Sequence, residues 1–98
     1  MTEERIEERE VRQRIGTLNE GWNGDTQHIA RTFTFDTFAE GIDFVRRLGA
    51  AADEQGHHPD IDIRWTSVLV DISTHSAGGV TDLDFTLART ADEIAADM

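Results

Sequence analysis

The chain has no cysteine, no lysine and a single proline in 98 residues. Without cysteine there can be no disulfide, no thiolate nucleophile and no cysteine-based zinc site. Without lysine there can be no Schiff-base chemistry and no phosphate-binding P-loop. No apolar run approaches the ~20 residues that a bilayer-spanning helix requires. The opening stretch, MTEERIEERE, is too densely charged for the apolar core of a signal peptide, so the cytoplasm is the expected compartment. All nine basic residues are arginine, against 20 acidic ones, for a formal net charge of −11. Such a balance opposes binding to nucleic-acid phosphates and to anionic membranes. The length suits one domain, taken here as residues 1–98, with a modest core that a second copy would help to cover.

What is present is a clear change of period along the chain. Residues 3 to 15 are good helix formers with Glu/Arg pairs three or four apart, and a narrow apolar stripe of Ile6, Val11 and Ile15. A glycine-rich segment around Trp22 reads as a loop or a short strand. HIARTFTF, from His28, alternates in part and reads as a strand. Thr37 and Glu40 have capping-box spacing, and Phe38, Ile42, Val45, Leu48 and Ala52 recur on one helical face up to a terminal Gly56. Ile61, Ile63 and Trp65, then Val68, Val70 and Ile72, predict two strands that join near Thr66 and Ser67 in an antiparallel hairpin. Thr81 and Asp84 repeat the capping-box spacing before a last amphipathic helix. The order is helix, one or two strands, helix, two strands, helix. The economical fold is α+β, a small antiparallel sheet with helices packed on one face.

The segment GHHPDIDIRW puts two of the four histidines, His57 and His58, beside the only proline, Pro59. A solvated surface pair, or a favourable charge near a helix C-terminus, would explain them without function. The hairpin alters the balance, because the start of one strand lies beside the end of its partner. His75 is therefore expected near His57 and His58, with Asp53 one helical turn before them and Asp84 opening the last helix. Three imidazoles and a carboxylate could hold zinc or iron. They could equally exchange protons near neutral pH, where a free imidazole titrates. Spacing alone leaves both open. Asp84 could also be only a helix cap. Trp65, alternating with apolar neighbours, is expected in the core, and Trp22 is the better candidate to contact a flat ligand.

DEQGHHPDIDIRW followed by VLVDISTHSAGGVTDLD closely resembles the pterin-4a-carbinolamine dehydratase family over roughly residues 20 to 90. The matching positions are Asp53, His57, His58, Pro59, Trp65, Thr74, His75 and Asp84; Asp53 stands where many relatives have the longer glutamate. The resemblance implies an α+β fold of four antiparallel strands with helices on one face, in the order α-β-β-α-β-β-α, assembled as a homodimer or homotetramer. It implies a hydro-lyase that dehydrates 4a-hydroxytetrahydropterin with no metal and no cofactor; the net charge, not the resemblance, is the ground for expecting no nucleic-acid or membrane partner. His57 and His75 are then the acid/base candidates, with His58 and Thr74 as pterin contacts. Asp53 and Asp84 would orient histidines or substrate.

Overall fold

The computed structural model describes residues 4–98. Helix α1 spans Glu8–Ile15, strand β1 Asn23–Gly24, strand β2 Ile29–Thr34 and helix α2 Phe38–Gln55. Strands β3 (Asp60–Arg64) and β4 (Ser67–Ile72) follow, then a single 3₁₀ turn at His75–Ala77 and helix α3 (Asp82–Ala96). The four strands form one antiparallel sheet in the order β1-β2-β4-β3. This is the expected α+β architecture and element order. No helix among the described residues is long and apolar enough to cross a membrane.

Strand alternation decides which side of the sheet is covered. Ile29 and Phe33 of β2 and Val68, Val70 and Ile72 of β4 are buried in one core with Phe44, Leu48 and Ala52 of α2. From α3 the same core takes Phe85, Leu87, Ala88 and Ala91. The intervening strand residues, such as Thr32, Thr34, Asp60 and Asp62, are polar and exposed, the period-2 signature of a sheet covered on one face. Both later helices begin as their capping residues dictate. Thr37 Oγ1 accepts the Glu40 N–H at 3.1 Å and Glu40 Oε1 accepts the Thr37 N–H at 3.0 Å.

Three expectations are corrected. The first helix starts at Glu8, not at residue 3, which lies outside the described residues. The Ile6 N–H donates to Val80 O at 2.8 Å, which holds this stretch extended against the start of α3. The β3–β4 turn is Trp65–Thr66, one residue earlier than expected. Trp65 therefore leaves the pleat with φ +52° and is 77% exposed, outside the core. A bulky residue with positive φ is uncommon; the two-residue hairpin imposes it here. Trp22 goes the other way. It is 6% exposed and packs edge-on to Phe33 with ring centroids 6.1 Å apart.

The end of α2 sets up the site. Gly56 has φ +67°, and the His57 N–H returns to Ala52 O at 3.1 Å, closing the helix in a Schellman-like turn. An added Cβ at Gly56 would meet no atom within 4 Å, so only backbone strain opposes it. Gly56→Ala is expected to cost about 1 kcal/mol, read as a lower midpoint in urea unfolding with an unchanged slope.

Candidate active site

The chain reversal at Gly56 delivers His57 to the N-terminus of α3. His57 Nε2 lies 2.6 Å from Asp84 Oδ1. Asp84 occupies the third position of α3, where its Oδ2 accepts the Thr81 N–H at 2.8 Å as the return half of a capping box. Thr74 Oγ1 donates to the same Oδ2 at 2.8 Å. Asp84 is 0% exposed, so its charge is held by these donors and by the positive end of the α3 dipole. His57 is only 12% exposed at its side chain. A buried carboxylate gripping a nearly buried imidazole is a costly arrangement to maintain unless the imidazole's orientation matters.

A second pair stands beside it. His58 Nε2 lies 2.8 Å from Asp53 Oδ1, with both side chains well exposed. At the surface such a pair contributes little to stability; it restrains a ring that is otherwise free to turn. Asp53, which the sequence placed beside the histidines without choosing between them, thus bonds His58.

His75 comes from the far side of the hairpin, just after the end of β4. The β3–β4 register sets Asp60 opposite Asp71, which brings the chain after β4 back to the level of Pro59. Thr74 and Gly79 then exchange two backbone hydrogen bonds, of 3.1 and 3.3 Å, around the short turn that carries His75. Gly79 is required there, because an added Cβ would lie 2.3 Å from Thr26 O. His75 is exposed, and its ring makes no hydrogen bond among the described residues. The fourth histidine, His28, pairs with Asp71 at 2.8 Å and is not joined to this network.

Two expected ligand contacts are placed differently. Thr74 is 4% exposed and spends its hydroxyl on Asp84 and on Thr81 Oγ1, 2.8 Å away, so it stands behind the site and not at its surface. Trp22 donates its indole N–H to Asp92 Oδ1 at 2.8 Å within the core, which removes it as a ligand platform. Two features were missed in the sequence. Thr81 was read only as a cap, although it also bonds Thr74. Asp92 is a buried hub that also accepts from Arg31 at 2.6 Å and from the Asn19 N–H at 3.1 Å. Among the described residues no group of three or more histidine, aspartate or glutamate side chains is arranged to hold a metal ion. A cleft of about 340 Å³ lined in part by Arg31, Phe35, Glu40 and Asp92 lies at the opposite end of the α2–α3 pair and includes none of the candidate residues.

Residues 4–94 match the family model described as Pterin 4 alpha carbinolamine dehydratase. A Sulfolobus acidocaldarius protein named for that activity is 40% identical over 90 residues, covering 92% of this chain and 98% of its own. A Mycobacteroides abscessus protein of the same name is 51% identical over 72 residues, 74% of this chain and 77% of its own. Among solved structures, one from Brucella melitensis described as a transcriptional coactivator/pterin dehydratase superposes with a TM-score of 0.87 at 32% identity. It covers 93% of this chain and 98% of the other. A family match over residues 4–94, with relatives 40% and 51% identical over most of the chain, establishes the assignment: this chain belongs to the pterin-4α-carbinolamine dehydratase family.

Proposed function

We propose that this protein, acting as one domain over residues 1–98, dehydrates a 4a-hydroxytetrahydropterin to the quinonoid dihydropterin and water. The observation that carries the reading is the buried Asp84 holding His57 at 2.6 Å, in a chain of this family. In the reaction the C4a–O bond breaks and the N5–H bond gives its electrons to a new C4a=N5 bond. Hydroxide is a poor leaving group, so the departing oxygen needs a proton while N5 loses one. The two transfers balance, and a pair of imidazoles can serve as donor and acceptor. His57 and His75 take these roles. His58, restrained by Asp53, orients the pterin, and Asp84 orients His57. The product fits recycling of an oxidised tetrahydropterin in the cytoplasm.

The test is the loss of a synthetic 4a-hydroxytetrahydropterin, followed by absorbance with and without the protein. Faster loss supports the reading, and a rate equal to the spontaneous one overturns it. Because the proposed transfers use only imidazoles, chelator treatment is expected to change neither turnover nor melting temperature. A loss that zinc or iron restored would contradict the mechanism.

A second copy of the chain is the proposed partner, as a homodimer or a dimer of dimers. Strand β3 is a sheet edge, and Ile63, Trp65, Phe38 and Ile42 are large exposed apolar side chains. Edges of this kind are usually covered. Light scattering at micromolar concentration should give at least twice the 11.0 kDa chain mass; a monomer mass would contradict it. A net charge of −11 disfavours nucleic acid and anionic membranes as partners. The Brucella relative's description as a coactivator supports a second reading, an interaction module that uses the same fold. The His57–Asp84 and His58–Asp53 pairs favour catalysis over that reading.

A further inference from the structure

We propose that two buried threonine hydroxyls, Thr74 and Thr81, fix the proton of His57 on Nε2 and so make Nδ1 the nitrogen that exchanges protons with the ligand. The proposal deepens the acid–base reading above and rests on it for its catalytic part. Thr81 Oγ1 lies 2.8 Å from Thr74 Oγ1, and Thr74 Oγ1 lies 2.8 Å from Asp84 Oδ2. All three side chains are buried. A carboxylate oxygen only accepts, so the single hydroxyl hydrogen of Thr74 points to Asp84. Thr74 then has no hydrogen left for Thr81, and Thr81 must be the donor between them. Thr81 Oγ1 in turn accepts the Leu83 N–H at 3.3 Å. The order of donors is thus determined from the first turn of α3 to the carboxylate.

The consequence falls on His57. Asp84 Oδ2 already has two donors, the Thr74 hydroxyl and the Thr81 N–H, while Oδ1 faces only His57 Nε2. Filled in this way, the carboxylate is satisfied as an anion, and the proton between it and the ring stays on Nε2. Nδ1 makes no hydrogen bond among the described residues, and no buried side-chain nitrogen or oxygen there lacks a partner. Nδ1 therefore reaches solvent, although the side chain is nearly buried. It is a lone pair in the neutral ring and an N–H in the imidazolium, so this atom takes or gives the proton. Thr74 is on this account a positioning residue, acting through Asp84 and His57 without touching substrate.

The test has a part that needs no substrate. Nitrogen-resolved NMR of the ligand-free wild-type chain, above the titration of His57, should show Nε2 protonated and Nδ1 bare. The opposite tautomer overturns the proposal, whether or not the chain dehydrates pterins. In Thr74→Val the hydroxyl is lost at nearly constant shape. The His57 spectrum should become a mixture of tautomers, and kcat should fall about tenfold, as loss of one ordinary hydrogen bond implies. KM should stay within about twofold, and Thr74→Ser should retain kcat within about twofold. A Thr74→Val chain with wild-type kcat and tautomer would overturn the proposal. So would a Thr74→Ser chain as slow as the valine variant, since packing of the methyl group would then be the cause. If no dehydration is found in the wild type, the reading of function fails and the tautomer spectrum alone decides this proposal.

Discussion

Replacing Asp92 with alanine is expected to lower the melting temperature by roughly 12–24 °C and to leave turnover per folded molecule unchanged. Asp92 is buried on α3 and takes three donors: the Trp22 indole, the Arg31 guanidinium and the Asn19 N–H. These tie the segment before β1, the middle of β2 and the last helix to one carboxylate. Removing it leaves the indole N–H buried without a partner and a guanidinium, stacked 4.2 Å from the Phe33 ring, without its counter-charge. Breaking a buried pair by removing one partner costs about 3 kcal/mol or more. In a chain of this size each kcal/mol moves the midpoint by roughly 4–8 °C, which gives the stated range. Turnover is spared because Asp92 lies toward the end of α3 away from Asp84. Calorimetry and an activity assay well below the midpoint check both halves. An unchanged melting temperature would mean that the hub carries no net stability.

Replacing His57 with alanine is expected to lower kcat by the ~10²–10⁴-fold typical of a lost general acid or base, with the fold intact. The same holds for His75→Ala. His75 is exposed, whereas His57→Ala takes the partner of buried Asp84 Oδ1 and should lower the melting temperature, but Oδ2 keeps the Thr74 hydroxyl and the Thr81 N–H, so the fold should survive. His58→Ala should act on binding, raising KM more than it lowers kcat, because its ring is held at the surface by Asp53. His28→Ala is expected to be nearly silent in turnover, since His28 pairs with Asp71 apart from the network. Steady-state kinetics on the four variants distinguishes these outcomes. Equal losses for His28→Ala and His57→Ala would show that the effect does not arise at the proposed site.

Much of this arrangement is legible in the sequence because it follows from local rules. Thr37 with Glu40 and Thr81 with Asp84 announce two helix starts, and Gly56 announces one helix end. The alternation around Val68 and Val70 specifies the buried face of β4. Hairpin geometry predicts that the chain after β4 returns to the level of Pro59, as the Asp60–Asp71 register shows. What local rules miss is long-range or parity-breaking. Asp92 stands among polar residues of α3 and looks like solvent-facing charge; the partners that bury it are 61 and 70 residues away. Trp22 sits among glycines, and only the aromatic face of Phe33 and the Asp92 carboxylate explain its burial. Trp65 extends the Ile61–Ile63 alternation perfectly well, but the two-residue turn claims it at positive φ, a conformation its type does not advertise. Spacing also cannot say which carboxylate serves which histidine. Gly56 decides that, by turning His57 toward Asp84 and leaving His58 to Asp53.

The most direct measurement is dehydration of a 4a-hydroxytetrahydropterin by the double variant His57→Ala, His75→Ala, at fixed pH, with circular dichroism to verify folding. If these two imidazoles carry the protons, the folded double variant should approach the spontaneous rate while the wild type remains fast. A folded double variant with wild-type turnover would contradict the account.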